Sequence, residues 1–287
     1  MARYPYQRPR RLRQLAGLRE SIAEHQLRPS DFIAPLFLLE GTDTAEDIPS
    51  MPDVQRLSLD RAVNEARELH WLGIRHVLLF AKVPDAQKDN TGSEAVNPEG
   101  LLPRAVRAIK EEVPELSVMT DVALDPYSAQ GHDGLVAGNG EILNDETLDV
   151  LSKMALVHAE AGADMLAPSD MMDGRVLAIR STLEKEGYPN TGILSYTAKY
   201  ASSFYGPFRD ALGSAPSFGD KQTYQMAPAN AREALREAAL DEDEGADILM
   251  VKPGMPYLDV LHRLRAGADL ITTYFARAAA TALRDSR

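Results

Sequence analysis

The sequence predicts an α/β barrel, in which parallel strands form a ring and helices cover its outside. Three observations support this fold class. Short apolar runs alternate with helical patterns, several helical patterns end at a glycine before the next apolar run, and no linker or shift in composition divides the chain. Such alternation is typical of a mostly parallel sheet covered by helices. A chain of 287 residues fits one large barrel or two ordinary domains, and the uniform composition favours one.

Seven apolar runs are predicted to be barrel strands. They are Ile33–Leu38, His76–Phe80, Leu116–Leu124, Ala163–Ala167, Gly192–Ala198, Ala246–Val251 and Ala268–Tyr274. The predicted helices are Leu59–Trp71, Leu101–Val113, Glu146–Ala161, Gly174–Leu183 and Arg232–Asp243. Ser58 is the expected N-cap of the first helix, and Asn144 or Asp145 that of the third. Glycines are expected to end helices in the left-handed conformation at Gly73, Gly162, Gly245 and Gly267.

Residues 1–30 are predicted to form an N-terminal arm and oligomerisation segment, and residues 31–287 the catalytic barrel. Pro5 and Pro9 disfavour a helix in the arm, and several arginines make it basic. The arm has no apolar stretch after it, so it does not resemble a secretory signal. An arm that embraces a neighbouring subunit and a disordered tail are both compatible with this composition.

Composition excludes several classes of function. The formal net charge of −12 argues against nucleic acid and anionic membranes as partners. No apolar run approaches the roughly 18 residues that a membrane span needs. The chain has no cysteine, which excludes disulfides, thiolate metal sites and thiol catalysis. The absence of disulfides is compatible with the cytoplasmic location that we predict.

Two lysines, Lys199 and Lys252, each lie where a predicted buried strand ends. The carboxyl ends of the strands form the catalytic face of an α/β barrel. Burial disfavours the charged form of a lysine, and a neutral amine can attack a ketone to form a Schiff base. Two such lysines indicate two carbonyl substrates held side by side. The alternative is that each lysine caps a strand or pairs with a carboxylate.

The loops after the third and fourth strands carry candidate acidic groups. Asp125 and Asp133, with His132 beside the second, could bind a hard cation such as Mg²⁺, or could cap turns. Asp170 and Asp173 could move protons, or could cap the helix that follows them.

The long loop after Lys199 carries candidate basic groups. Arg209 and Lys221 are candidates to bind a substrate carboxylate, for which the planar guanidinium is well suited. A loop arginine is usually just solvated, so the residues alone leave both carboxylate binding and simple solvation open.

Long stretches of this sequence resemble the porphobilinogen synthase family, also called δ-aminolevulinic acid dehydratases. The longest runs without interruption from Ser195 to Asp210. Others are Pro9–Arg13, Glu40–Gly41, Ile48–Pro52, Lys88–Ala95, Ala167–Arg175, Met250–Tyr257, Ala266–Asp269 and Thr273–Ala276. The resemblance covers nearly the whole chain and implies a barrel enzyme that condenses two 5-aminolevulinate molecules to porphobilinogen, on the route to haem.

The resemblance also implies roles for individual residues. Lys252 matches the Schiff-base lysine of the P-side substrate, and Lys199 that of the A-side substrate. Arg209 and Lys221 match residues that bind the A-side carboxylate, and Tyr274 matches one that binds the P-side carboxylate. In the family, the residues that match Asp121, Ser169 and Asp170 line the pocket. Phe204 to Lys221 matches a lid over the site, which excludes water.

Metal use departs from that of the zinc-dependent members. Their cysteine triad is replaced here by Ala123, Asp125 and Asp133, so no catalytic zinc is expected. The resemblance implies the aspartate-type branch, which uses Mg²⁺ or other hard ions. Glu237 matches an outlying allosteric Mg²⁺ ligand that favours a homo-octamer. By spacing alone, Glu237 is an ordinary solvated helix residue.

A second departure lies near the C-terminus. Family members have another βα unit after the sixth strand, whereas here Tyr257–Arg265 runs directly into Ala266. About 30 residues are therefore missing, which leaves seven strands instead of eight. A divergent or damaged gene would give this pattern, as would a stretch lost from the sequence. A related Schiff-base lyase or aldolase, and a truncated subunit that assembles without turnover, are the alternative functions.

Overall fold

The computed structural model describes residues 3–264 and 270–285. The predicted helix stop at Gly267 lies outside these residues, as do the first two residues of the seventh predicted strand. No helix in the described part is both long and apolar enough to cross a membrane.

The described chain alternates strands and helices. The strands are β1 (Phe32–Leu38), β2 (Ala45–Asp47), β3 (Gln55–Leu57), β4 (His76–Ala81), β5 (Ser117–Val122), β6 (Leu135–Val136), β7 (Ile142–Leu143), β8 (Met165–Pro168), β9 (Gly192–Lys199), β10 (Ile248–Lys252) and β11 (Ile271–Thr272). The helices are α1 (Ala16–Ser21), α2 (Leu59–Trp71), α3 (Leu101–Glu112), α4 (Asn144–Glu160), α5 (Arg175–Glu186), α6 (Gly206–Leu212), α7 (Ala231–Asp243), α8 (Leu258–Leu264) and α9 (Ala276–Asp285). Short 3₁₀ turns lie at Pro9–Arg13, Pro29–Asp31, Asp85–Gln87, Ser93–Val96, Ser203–Tyr205 and Met255–Tyr257.

Seven of these strands form the parallel barrel wall, as the sequence predicts. Their order is β10, β9, β8, β5, β4, β1 and β11, and every pairing between neighbours is parallel. The hairpin of β2 and β3 joins the carboxyl end of β1 through β3. The short pairs β2–β3 and β6–β7 were not predicted, because each strand has only two or three residues and no apolar run.

The barrel wall has an opening between β10 and β11. Within residues 3–264 and 270–285, β10 pairs only with β9, and β11 pairs only with β1. Four of the five residues of β10 are partly exposed, whereas β9 is buried in all but its first residue. The exposure of β10 is the expected consequence of a missing neighbour on one side.

Alternation along each buried strand divides the core into two layers. In β4, Leu78 and Phe80 point into the barrel, where they pack with residues such as Phe37 and Tyr196. Val77 and Leu79 point outward and pack against the surrounding helices. Because both faces are buried, such a strand reads as one continuous apolar run. The same property made the strands visible in the sequence.

Helix ends match the sequence only in part. Gly73, Gly162 and Gly245 have φ values of 94°, 99° and 104°, so these predicted left-handed stops are confirmed. Ser58 occupies the N-cap of α2, but its hydroxyl donates to Asp60 instead of accepting from the helix. The predicted cap of α4 is wrong, because the helix begins at Asn144 itself.

The N-terminal arm lies outside the barrel core. Every residue from 3 to 28 is exposed, and the side-chain hydrogen bonds of residues 8–21 stay within the arm. Its division from the barrel near residue 30 and its role in oligomerisation stay predictions.

The opening predicts a loss of stability that a restored strand should reverse. Insertion of a family-like βα unit between Arg263 and Ala266 should raise the melting temperature measured by calorimetry. Each unpaired buried backbone group costs roughly 1–3 kcal/mol, and 1 kcal/mol shifts the melting temperature of a large domain by roughly 2–4 °C. A glycine-serine insert of the same length is the control. An equally cooperative melt at the same temperature in both proteins would contradict the prediction.

Candidate active site

Two lysines lie side by side at the carboxyl end of the barrel. Lys199 is the last residue of β9 and Lys252 the last residue of β10, and the two are direct partners in the parallel register. Parallel strands are about 4.8 Å apart, so two long side chains at paired positions can reach into one pocket. The structure thus brings together the two amines that the sequence singles out.

The amine of Lys252 lies among aromatic rings. Its Nζ is 4.3 Å from the ring centre of Phe208, 4.8 Å from that of Tyr196 and 5.7 Å from that of Tyr205. Among the described residues it has no carboxylate within ion-pair distance. Burial, together with the nearby charge of Lys199, lowers the pKa of Lys252 to about 7. A substantial fraction of this lysine is therefore a neutral amine near pH 7.

Lys199 lies in a more polar environment. It is buried, and its Nζ donates a hydrogen bond to the carbonyl oxygen of Ser169. The same Nζ is 3.5 Å from Oδ1 of Asp133. The two lysines are therefore not equivalent, because Lys199 is held by oxygen atoms and Lys252 by aromatic rings.

Buried aspartates and a third lysine line the wall beside the two amines. Lys221 Nζ is 3.0 Å from Asp133 Oδ2 and 3.3 Å from Asp125 Oδ2. Burial alone would raise the pKa of Asp133, but Lys199 and Lys221 hold it below its usual range. Burial raises the pKa of Asp125 despite Lys221. Asp125 and Asp133 thus pair with lysines in this structure, which supports neither the turn-cap nor the cation-site interpretation.

Asp121 and Ser169 form a second polar pair in the pocket. The hydroxyl of Ser169 donates to Asp121 Oδ1 over 2.7 Å, and both residues are buried. Burial and the charge of Asp125 raise the pKa of Asp121 to about 7, against the opposite effect of the Ser169 hydrogen bond. Asp121 can therefore accept or release a proton near neutral pH.

Asp170 belongs to a buried network behind the pocket. The backbone N–H of Met172 donates to its Oδ1 over 2.7 Å, and Arg175 lies 3.9 Å from its Oδ2. Burial raises the pKa of Asp170 to about 6. The guanidinium of Arg175 also reaches Ser195 and Asp241, which accepts hydrogen bonds from the hydroxyls of β9.

This network joins the loop after β8, helix α5, strand β9 and helix α7. Sequence reasoning placed no role on Arg175 or Asp241. The available signal was the serine and threonine within the apolar run of β9, because buried hydroxyl groups need polar partners. The alternative role of Asp170 as a helix cap is wrong, because Gly174 is the N-cap of α5 and Asp170 accepts from Met172 in the preceding turn.

The loop after β9 folds over the pocket, and we call residues 204–221 the lid segment. Its helix α6 carries Phe208 and Arg209, and the hydroxyl of Tyr205 donates to the carbonyl oxygen of Lys252 over 2.9 Å. Arg209 is partly exposed, and its guanidinium has no hydrogen bond or ion pair with any described residue. An arginine without a partner beside the pocket is available for an anionic ligand.

His132 connects the aspartate loop to the far end of the lid segment. Its Nε2 is 3.1 Å from the carbonyl oxygen of Phe218, and its Nδ1 is 3.1 Å from the hydroxyl of Tyr224. Burial lowers the pKa of His132, so the ring is neutral at pH 7, with the proton on Nε2. His132 is a structural residue here and does not point to a metal.

Tyr274 lies beyond β11, next to the opening in the wall. Its ring stacks on Phe37 with 6.0 Å between the ring centres, and 41% of the residue is exposed. Burial of the hydroxyl end raises the pKa of Tyr274 to about 12, so the phenol stays protonated and can donate a hydrogen bond.

Glu237 lies apart from this pocket, on the outer helix α7. It lines an open cavity of about 670 Å³ together with Asp173, Arg175, Glu233 and Glu244. Burial raises the pKa of Glu237. In residues 3–264 and 270–285, no three acidic or histidine side chains gather closely enough to enclose a metal ion.

Comparison with known proteins places the chain in a family. The family model described as "Delta-aminolevulinic acid dehydratase" matches residues 6–265. A chloroplastic delta-aminolevulinic acid dehydratase of Physcomitrium patens is 55% identical over 264 residues, which are 92% of this chain and 61% of the relative. The chain thus spans about six-tenths of the length of the first curated relatives that it matches.

A solved structure agrees with this match. The delta-aminolevulinic acid dehydratase of Toxoplasma gondii ME49, in complex with the reaction product porphobilinogen, has a TM-score of 0.89 and 49% identity, covering 98% of this chain and 82% of that one. The fold is therefore the α/β barrel of that enzyme class. The chain belongs to the delta-aminolevulinic acid dehydratase, or porphobilinogen synthase, family.

The comparisons also bear on the missing unit. Delta-aminolevulinic acid dehydratase 1 of Arabidopsis thaliana aligns over 322 positions at 49% identity, covering 96% of this chain and 74% of the relative. That alignment is longer than the 287-residue chain, so the relative has residues that this chain lacks. The family model's match ends at residue 265, beside the junction where the opening lies.

The environment of Lys252 predicts an unusual titration. Labelling by a small amine-acylating reagent, followed by peptide mass spectrometry across pH values, should give a midpoint near pH 7 for this lysine. Burial and Lys199 disfavour its ammonium form, so the reactive amine appears well below the pH at which a lysine in water loses its proton. Exposed Lys185 is the reference amine. A midpoint above pH 10 for Lys252 would contradict the geometry described above.

Proposed function

We propose that this chain is a porphobilinogen synthase, which condenses two 5-aminolevulinate molecules through imines on Lys252 and Lys199. One observation carries the proposal: two lysines, buried Lys199 and partly exposed Lys252 with its amine among aromatic rings, occupy paired positions at the carboxyl ends of neighbouring strands. A condensation of two identical ketones needs two carbonyl-binding groups held next to each other. Relatives in the same family are named for this reaction, and the Toxoplasma structure holds its product.

The first covalent step suits Lys252. Its neutral amine adds to the ketone carbon of one substrate, and the resulting carbinolamine loses water to give the imine. The amine nitrogen forms the new bond, and the ketone oxygen leaves as water after accepting protons. The aromatic rings around Nζ supply the poorly solvated environment that keeps the amine neutral beforehand.

Lys199 holds the second substrate in the same way. Its Nζ donates to the carbonyl oxygen of Ser169 and lies beside Asp133, so it must leave these contacts before it attacks a ketone. Asp121, whose pKa is raised to about 7, is the group that we propose receives and returns protons in this pocket. Ser169 holds Asp121 in place, and Asp170 anchors the adjoining loop.

Carboxylate recognition is divided between the two sides of the pocket. Arg209 has no hydrogen bond or ion pair with the residues that the structure describes, and it is the primary proposed ligand for the A-side carboxylate. Lys221 is already paired with Asp125 and Asp133, so it contributes to that side only by exchanging partners. Tyr274, with its protonated hydroxyl, is the proposed P-side ligand. Closure of the lid segment excludes water and protects the imines.

The proposed metal requirement follows the donor set. Family membership implies metal dependence in general, and we propose Mg²⁺ bound at Glu237 as an allosteric ion, with no catalytic zinc. Mg²⁺ commonly binds one or two carboxylates and keeps several waters, and the open cavity of about 670 Å³ beside the partly buried Glu237 has room for those waters. When bound, the ion supplies charge that links α7 to its surroundings. A homo-octamer, which the resemblance implies, and a cytoplasmic location, with which the absence of cysteine is compatible, are further proposals.

A catalytically impaired subunit is the second candidate function. The opening lies beside β10, the strand that carries Lys252. In the family that this chain resembles, the unit missing here carries a serine that helps to bind the P-side carboxylate. Loss of that serine and of a strand neighbour should weaken P-side binding even if both lysines remain competent.

Trapping of the imines tests the proposed function. Borohydride treatment in the presence of 5-aminolevulinate should attach reduced substrate to Lys252 and Lys199, detectable by peptide mapping. Lys252→Ala should lower kcat by several orders of magnitude, because binding cannot replace a covalent step. Lys153→Ala, a change on the outer helix α4, is the matched control. Labelling at neither strand-end lysine would rule the mechanism out.

Metal analysis tests the proposed absence of a catalytic zinc. Ala123, Asp125 and Asp133 offer at most oxygen ligands, and the two aspartates are neutralised by lysines. A chelator that binds zinc tightly and magnesium weakly should leave activity largely intact. Glu237→Gln should instead reduce the response to added Mg²⁺ while leaving imine trapping unchanged. Stoichiometric zinc whose content tracks activity would show that this part of the account is wrong.

A further inference from the structure

The segment that follows β1 packs directly against the lid segment. Residues 45–57, which we call the latch segment, comprise β2, a tight turn and β3. The motif Ile48–Pro52 in its turn is one of the family-like stretches, yet no proposed catalytic role uses it. Ile48 and Met51 are buried in the same apolar cluster as Ala211 and Leu212 of α6.

Arg56 binds the carboxyl end of α6. Its Nε donates to the carbonyl oxygen of Ala211 and its Nη2 to that of Asp210, each over 2.6 Å. The last carbonyl groups of a helix have no partner within the helix, and a cation is favoured there. Arg56 is only 3% exposed, and its remaining Nη1 forms an ion pair with Glu46 over 2.6 Å. All three nitrogen atoms of the guanidinium therefore have partners, two in α6 and one in Glu46.

A second contact comes from the turn of the latch segment. The hydroxyl of Ser50 donates to Oδ2 of Asp210 over 2.5 Å. Lys88, from outside the latch segment, donates to the carbonyl oxygen of Gly213 just beyond the helix. The carboxyl end of α6 is thus held at several points, whereas the preceding residues Ser203 and Phe204 are exposed.

The same short helix carries the ring closest to the reacting amine. Phe208 lies one helical turn before Ala211, and its ring centre is 4.3 Å from Nζ of Lys252. It also packs edge-on against Phe80 inside the barrel, with 5.0 Å between ring centres. Because α6 has only seven residues, a shift at its carboxyl end moves Phe208 and Arg209 with it.

We propose that Arg56 is a positioning residue for the reaction, which with Ser50 holds the carboxyl end of α6 and so keeps Phe208 against the Lys252 amine. The proposal rests on the proposed function in one respect, that Lys252 is a reacting amine. Release of the latch exposes that amine to water and moves Arg209 away from the pocket.

The test compares three variants by the pH dependence of Lys252 acylation, which needs no turnover. Arg56→Lys keeps the charge beside Glu46 but cannot donate to two carbonyl groups in a fork. We expect its Lys252 midpoint to rise by about one pH unit, which lowers the neutral-amine fraction at pH 6 roughly tenfold. Ser50→Ala should shift the midpoint in the same direction by less. Arg67→Ala, which removes an exposed ion pair to Glu112, should shift nothing.

Further readouts separate positioning from general destabilisation. In both latch variants the lid segment should be cut faster by trypsin at Arg209, while the melting temperature stays within a few degrees. The acidic side of the pH–rate profile should shift together with the pH midpoint of Lys252 labelling. KM should rise by a larger factor than kcat falls, because Arg209 is displaced from the pocket.

The outcomes decide the proposal. Unchanged labelling midpoints and trypsin rates in folded Arg56→Lys and Ser50→Ala would overturn it. If Arg56→Lys does not fold, the exposed Ser50→Ala variant decides alone, by the presence or absence of the shift. Failure of the proposed function is a different result, in which wild-type protein traps no imine although the latch variants still shift the Lys252 midpoint.

Discussion

Two amines confined at neighbouring positions of a parallel sheet are the constraint on which the rest of this site depends. The register of β9 and β10 fixes Lys199 beside Lys252, and their charges oppose each other in a poorly solvated pocket. The structure resolves this repulsion unequally. Lys199 contacts the carbonyl oxygen of Ser169 and the carboxylate of Asp133, whereas aromatic rings surround the amine of Lys252, so the two amines lie in different environments. That asymmetry suits a reaction that treats two identical substrates differently.

The acidic wall balances the charges of the lysines that contact it. Lys221 and Lys199 share Asp133, and Lys221 also reaches Asp125. Lysine ammonium groups thus occupy the space next to the carboxylates that replace the zinc-binding cysteines of the family. The remaining carboxyl group, Asp121, has a raised pKa and is free to exchange protons. One set of buried charges therefore balances the pocket, and we propose that the same set supplies its acid–base chemistry.

The sequence was informative where a residue's role follows from the strand that carries it. All seven barrel strands and both lysines could be predicted, because buried parallel strands are continuous apolar runs and their carboxyl ends share one face. Contacts between distant segments could not be predicted. They join residues about 65 to 155 positions apart: Lys221 pairs with Asp125, Arg175 with Asp241, and Arg56 donates to carbonyl groups of α6. Nothing local in the sequence marks such pairs.

The central claim is that the two lysines hold two substrates next to each other. A crystal structure of the protein reduced with borohydride in the presence of 5-aminolevulinate tests it most directly. The account predicts continuous density from Nζ of Lys252 and from Nζ of Lys199 to separate substrate carbon chains, with one carboxylate at Arg209 and the other at Tyr274. Density for substrate attached to neither lysine, or to a lysine outside this pocket, would contradict it.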